Sequence, residues 1–536
     1  MNPKQCREKA DKLFDDRQSL ESLWQEIAEH FYVERADFTY HRTLGEDFAE
    51  QLSTSYPLIA RRELAAQIGY ILRRSDQEWF YMTANQEDRE AKMWLEWANG
   101  VQRRAMYDRA SMFHRAATEG DNDWATFGQY VQSCRLNKEG NGLLYRTWHL
   151  RDCVWEDDEE GKIVFLARKW KPQVRDLMRY FGEKNSAKVK EMDTKGKIFE
   201  RVNCYHIVMA SDIFDGDSKR MPWFSLYIDR DHSDHVIEQT PQRSREYIVP
   251  RWQTVSGSQY AYSPATVAAL PDARLIQAMT YTILEAGEKT SNPPLIATRN
   301  AVRSDMAIYS GGVTWVADDY DERLGDAIRP LNQDYRGLPF GMEMLQDTRG
   351  MIHQAFYLNK LNLPERAAEM TAFEVGQRIQ EYIRGALPLF EPMEYESNGQ
   401  LCELTFDVLM SNGAFGSPLD MPRSLSGAEV EFKYRSPLHD SIEAHRAQVF
   451  RQGAILISEA AALDQTVAHI PDAKEALRDV LEGIGFRQKW LRGEKDVEGL
   501  IAAQQQKQAM AETLAALEQG GSAAKSFAEA GAQVPA

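Results

Sequence analysis

Apolar positions along the chain follow two periods. In the first 34 residues Leu13, Leu20, Leu23, Trp24, Ile27 and Phe31 recur at helical spacing with charges between them, which predicts one amphipathic helix. The same spacing predicts helices near 56–73 (Leu58, Leu64, Ile68, Leu72), 89–106 and 109–119. From Phe127 to about Thr240 the period shortens. The segments GLLYRTWHL, KIVFLARKW, RVNCYHIVMA and WFSLYID are short, β-branched and aromatic, with DDEEG or DGDS turns between them. They predict strands, interrupted by one helix near Val174–Phe181.

Helix resumes at Pro271, a residue type favoured in a first turn, and runs to about Ser291. Its 21 residues span roughly 30 Å. Pro293-Pro294 ends it, and residues 295–340 read as short strands and turns around GGVTW and ADDYDERLGD. A helix over 341–358 follows, then the polar loop Asn359–Arg366, then a long helix from Thr371 toward Met410. Thr371 and Glu374 carry a capping-box signature, and Pro388 and Pro392 predict a kink. EVEFKYR (429–435) reads as a strand, and His439–Glu518 as a helical region. The tail GGSAAKSFAEAGAQVPA reads as disordered. Two long helices around a small β insert make an antiparallel arm with a head. Such an arm cannot bury both helices alone, so lateral association with copies of the chain is expected.

Length and composition add limits. At 536 residues, 43% of them hydrophobic, the chain exceeds one core, and two to four packed regions are expected. Acidic residues outnumber basic ones, 81 to 64, for a net charge of −17. A protein that grips phosphates should be basic, so this one either ignores nucleic acid or touches it without holding it. The five cysteines (Cys6, Cys134, Cys153, Cys204, Cys402) show no CxxC spacing and read as free thiols. The start, MNPKQCREKADKLFDD, has no apolar core of a signal peptide, and no run approaches ~20 apolar residues, so no membrane span is expected.

Candidate chemistry is thin. Gly287-Glu288-Lys289-Thr290 lacks the upstream glycine of a phosphate loop and sits in a predicted helix. Asp231-His232-Ser233-Asp234-His235 and Glu156-Asp157-Asp158-Glu159-Glu160 hold ligand-type residues but read as solvated turns. No catalytic residue, metal or cofactor is assigned. The loop 359–366, with Lys360, Asn362 and Arg366, reads on pattern alone as a surface turn between helices. The basic and aromatic mix of 295–340 (Arg299, Arg303, Tyr309, Trp315, Arg323, Arg329, Arg336) reads equally as an exposed β module and as a contact for DNA or a partner.

Several segments, in order, resemble the head-to-tail connector (portal) proteins of short-tailed phages. Leu64-Ala65-Ala66 and then Trp79-Phe80 are similar to that family's LAa…WF segment, and Met112-Phe113-His114 with Phe127-Gly128 to its N-F…fGt segment. Pro250-Arg251-Trp252, Tyr260–Ala265, Ala269-Leu270-Pro271-Asp272 and Glu288-Lys289…Pro293-Pro294 resemble its P-x-R-W…YGRSP…aLPD…eK…PP run. The family's Gly-Arg is Ala261-Tyr262 here. Thr371–Val375 with Arg378 and Glu381 resembles TAxEVxxRxxE, and the likeness covers about residues 10–435.

The resemblance implies an α+β, mostly α, portal fold. Its regions would be a wing (1–262), stem helix 1 (263–291), a small α/β clip (292–340), stem helix 2 (341–358), a channel loop (359–370), a long kinked helix with wing return (371–435), a helical crown (436–518) and a disordered tail (519–536). It implies a non-enzymatic ring of about twelve subunits at one capsid vertex, assembled in the host cytoplasm and carried in the virion. Double-stranded DNA would pass non-specifically through it. The large terminase would dock first and tail adaptors afterwards, with scaffold and major capsid protein as neighbours. Lys360, Asn362, Arg366 and Arg349 would face the channel; Arg299, Arg303, Trp315, Asp318, Asp319, Arg323 and Arg329 would meet terminase or adaptor. Two other classes stay open: a DNA-processing enzyme of the packaging machinery, and a shell or scaffold component.

Overall fold

The computed structural model describes residues 1–43, 45, 52–85, 88–291, 293–297, 323, 328–330, 338–361, 385, 391–417, 421–427, 429–435, 437–462, 472–483, 486, 490, 492 and 497–510. The single amino-terminal helix expected from periodicity is two helices, α1 (Pro3–Asp16) and α2 (Gln18–Phe31). They break at Arg17, which leaves helical geometry (φ −97°, ψ 5°) and is buried. Its guanidinium donates to the carbonyls of Leu150 (2.8 Å), Arg151 (2.5 Å) and Cys153. A buried charge needs such acceptors. They lie more than 130 residues away, where no periodicity points.

α3 (Tyr56–Leu72), the strand β1 (Phe80–Ala84) and α4 (Arg89–Met106) follow. The helix expected over 109–119 is displaced. Asp108 accepts from the Ala110 amide and 109–111 make a 3₁₀ turn; Met112 has φ 56°, and α5 then spans Phe113–Phe127. Gly128 ends it at φ 72°.

The strands expected between 127 and 240 are present. They are β2 (Val131–Leu136), β3 (Leu143–Trp148), β4 (Cys153–Asp157), β5 (Ile163–Trp170), β6 (Cys204–Ala210), β7 (Trp223–Asp229) and β8 (His235–Gln242). β4 to β8 form an antiparallel meander in chain order, while β2 lies between β3 and the short β9 (Tyr247–Ile248). Alternation along the meander puts Phe165, Ala167, Ile207, Leu226 and Ile228 in one core, and α1 covers it with Cys6, Ala10 and Phe14. Among residues of the opposite parity, Arg168 donates from Nε to the Tyr247 hydroxyl (2.9 Å) and His206 bonds Tyr247 and Ser225. Burial, with Arg168 nearby, pushes His206 well below its ordinary value and keeps it neutral. Between β5 and β6 stand the expected α6 (Val174–Phe181) and an unexpected α7 (Ala187–Thr194). They share a separate small core of Val174, Leu177, Val189, Val202, Cys204 and Ile237.

Two short strands, β10 (Gln253–Thr254) and β11 (Ala261–Tyr262), lead into α8 (Pro264–Ser291). Here the expectation took the wrong proline: Pro264 opens the helix and Pro271 lies inside it. Pro271 only removes the bond that the Val267 carbonyl would accept, and the flanking turns persist. β12 (Leu295–Ala297) pairs antiparallel with β13 (Ile328–Pro330). α9 (Leu338–Ala355) starts slightly before the expected 341, and α10 (Leu358–Leu361) follows at once. Of the long kinked helix, the described part is a π-helix, Met393–Gly399, just after Pro392, continuing as the α-helix Gln400–Ser411. The capping pair Thr371 and Glu374 lies outside the described residues.

The chain divides into two compact units. The first comprises 1–79 and 101–415; the second comprises 80–100 and 416–536. In the second, the expected strand is β14 (Val430–Tyr434), which pairs antiparallel with β1 from Phe80↔Tyr434 to Ala84↔Val430. Helices Pro437–Ala461 and Ala473–Gly483 lie in that unit. All five cysteines are buried free thiols. Among the described residues no helix is long and apolar enough to cross a membrane.

Candidate functional site

α8 and α9 pack against each other as an arm. Gly341, in the first turn of α9, lies against Ile283, so the helices run antiparallel and close. α8 is roughly 42 Å long, and its buried residues stop at Ile276. Beyond that point the arm leaves the body. On α9 the buried positions are Thr348 and Ile352, nearer the body.

The root of the arm is made of segments far apart in sequence. Gly128 has no room for a side chain: a Cβ there would lie 2.1 Å from the Tyr262 carbonyl carbon. The Gly128 carbonyl accepts from the Trp252 amide (2.7 Å), and Trp252 stacks on Trp124 (5.7 Å, 14°). Ser263 and Thr266 donate from their hydroxyls to the carbonyls of Ala125 and Thr126, both at 2.8 Å. The Gln277 carboxamide accepts from the Ser53 and Thr54 amides and donates to the Thr54 carbonyl. The motif-like segments Phe127-Gly128, Pro250–Trp252 and Tyr260–Pro264 thus meet at one joint, which fixes where the arm points.

Along the arm several large apolar side chains stand exposed among the charged and polar ones. α8 exposes Leu275, Tyr281 (64%) and Leu284; α9 exposes Phe340 (65%), Met342 (62%), Met344 and Met351. Fully burying such a side chain is worth about 1.5–3 kcal/mol. Seven of them, each near half exposed, hold on the order of 7 kcal/mol that a single copy does not use. Acids predominate among the arm's charges: Asp272, Glu285, Glu288, Glu343 and Asp347 against Arg274, Lys289 and Arg349. Sequence reasoning expected the arm but named none of these apolar residues. Their signal is a helix apolar on more than one face.

At the body end of α9, Phe356 packs on Phe31 (5.4 Å), Tyr357 takes φ 58°, and Leu358 is buried. The next residues form the helical turn α10, not the start of a loop. Lys360 is exposed on that turn, with Nζ 5.7 Å from the Tyr357 ring. Arg349 lies with its guanidinium 5.6 Å over the Tyr56 ring, and its buried Nε has no hydrogen-bond partner among the described residues. Lys360 and Arg349 therefore flank one end of the arm. Arg323 is exposed and Arg329 stands in β13 opposite Ile296. Asn362, Arg366, Arg299, Arg303, Trp315, Asp318 and Asp319 lie outside the described residues.

A second polar cluster surrounds the π-helix. Ser397 bonds the Tyr130 hydroxyl (2.5 Å), and Asn398 accepts from Arg73 (2.9 Å), whose other terminal nitrogen pairs with Asp121. All five side chains are buried. Burial pushes the Arg73 guanidinium below its ordinary value, and a charge so buried needs the carboxylate it pairs with. The turn residues Asp231–His235 bond within the protein. His232 meets Asp229 (2.8 Å), Asp231 meets Asn203, Asp234 pairs with Arg7, and His235 donates to the Lys184 carbonyl. Gly287–Thr290 is helical.

Comparison with known proteins follows the same lines. A family model described as bacteriophage head to tail connecting protein matches residues 3–491. A probable portal protein of Bordetella phage BPP-1 is 26% identical over 440 residues, covering 80% of this chain and 77% of its own. A portal protein of Salmonella phage epsilon15 is 22% identical over 448 residues, covering 79% and 77%. A chain from the virion of a native gene transfer agent particle aligns over 80% of this chain and 94% of its own, with 10% identity and a TM-score of 0.33.

Proposed function

The chain belongs to the bacteriophage head-to-tail connecting proteins, and from that premise we propose how its residues make a portal subunit. About twelve copies close a ring at one capsid vertex, with the α8–α9 arms side by side as the wall of a channel. The observation that carries this reading is the arm itself: two long helices, rooted at the Gly128–Trp252–Ser263 joint, whose large apolar side chains Tyr281, Leu284, Phe340 and Met342 stand exposed among the described residues of one copy. A neighbouring copy covers them, as ring closure requires.

The charge suits a conduit. An acidic wall repels phosphate, and at a Debye length of about 8 Å the repulsion acts only near the lumen. DNA then passes without a deep binding well. Lys360 and Arg366 give a local touch point for the phosphate backbone. The region around β12 and β13 docks the terminase during packaging and tail adaptors afterwards. The protein works as a structural part of the virion without chemistry of its own.

Lys360→Ala with Arg366→Ala tests the channel assignment. DNA packaging or retention should fall several-fold while rings of normal size still form. Loss of the rings would refute the assignment of this segment to the lumen.

A further inference from the structure

We propose that the five-stranded sheet carries both halves of one subunit–subunit contact, the basic insert between β5 and β6 of one copy docking on the acidic β4–β5 turn of the next. This rests on the ring reading above. A ring closed by rotation uses a heterologous contact, so each copy must present two different, complementary patches.

The sheet is electrically bipolar. Residues 171–201 hold nine lysines and arginines against five acids, 9 − 5 = +4, in a chain whose net charge is −17. Eight of the nine are exposed. Several pair within the insert, as Lys188 and Lys195 do with Glu191. Lys171, Arg179 and Arg201 make no ion pair among the described residues. Two exposed aromatics stand beside this surface, Tyr180 with Lys138 over its ring (5.3 Å) and Phe199 with Arg175 over its ring (5.9 Å). Aromatic anchors ringed by polar groups are the composition of an interface core.

At the other end of β5, residues 156–162 hold five acids and one base, 1 − 5 = −4. Lys9 and Arg251 occupy Glu156 and Asp157, and Asp158 spends its carboxylate on the Glu160 and Lys162 amides. Glu159 faces solvent, and Glu160, also exposed, pairs with Lys162 (2.7 Å). The eight residues of β5 separate the two ends by roughly 25 Å. That is about three Debye lengths, so one copy cannot neutralise itself across the sheet. The next copy can. Apolar burial on the arm supplies affinity, and the charged ends set orientation and exclude back-to-back pairing.

Charge exchange in the full-length chain tests this, read by sedimentation at about 0.15 M salt. K171E/R179E/R201E and E159K/E160K should each raise the protein concentration at half-assembly by about tenfold. All five changes together should restore assembly to within about threefold of wild type, because the ends have only swapped sign. K171Q/R179Q/R201Q, which removes charge without reversing it, should give a smaller shift in the same direction. Assembly indifferent to the reversals, or a combined variant no better than the worse single set, overturns this contact and leaves the ring standing. A wild-type chain that stays monomeric overturns the ring and the contact with it.

Discussion

Gly128 shows what one position decides. It ends α5 at φ 72°, and the Tyr262 backbone sits where a side chain would go. Gly128→Ala should destabilise the first unit by more than about 2 kcal/mol, since positive-φ strain adds to a clash with backbone. Gly140→Ala is the control: φ is 71° there but the space is open, so about 1 kcal/mol is expected. Equal melting shifts for the two would contradict the joint. Glu394 makes a pH prediction. Burial in the π-helix, with Glu391 close by, pushes its carboxyl from the ordinary 4.5 to about 7. The folded state therefore binds this proton more tightly than the unfolded chain does. The stability it contributes is fully present below pH about 4.5 and is lost as pH rises through about 7. Glu394→Gln should remove that slope, raising stability at pH 8 by on the order of 2 kcal/mol and changing little at pH 4. Thermal melts across that range check it, and a parallel shift at all pH values would contradict it.

At the scale of elements, the prediction concerns the arm. Tyr281→Ser with Leu284→Ser touches residues that are exposed in one copy, so the monomer's stability should move by less than about 1 kcal/mol. Assembly should nevertheless be lost, because each copy forfeits contacts on both neighbours. A destabilised monomer would mean those faces are already covered within the chain. Most elements were legible in sequence because their apolar period is local: α3, α4, α6, the strands of the meander, β14 and the existence of the arm. Their ends were less so. The break at Arg17 depends on carbonyls near residue 150, and the start of α5 on the Asp108 turn and a positive φ at Met112. Pro271 looked like a first-turn residue because the pattern before it gave no sign that Pro264 already began the helix. β1 was missed because its partner, β14, lies some 350 residues away.

For the whole molecule, family and function were legible through the order of short motifs, though not what those motifs do. The structure gives several of them one physical job, since Phe127-Gly128, Trp252 and Ser263 form the joint from which the arm projects. Of the candidate site, the two paired helices of the arm were legible in sequence. The exposed apolar side chains that need a neighbour were not named, because which apolar positions stay exposed is a property of the fold and not of the period. The bipolar sheet was hidden likewise: its two charged ends are adjacent in sequence, and only the extended strand between them holds them apart. Everything at this scale depends on copies of the chain closing a ring through their arms. End-on electron micrographs of the purified full-length protein test it most directly. Closed rings of about twelve subunits around a central hole, absent for the Tyr281→Ser, Leu284→Ser variant, are the expected result; monomers, open filaments or shell-like lattices from the wild-type chain would contradict it.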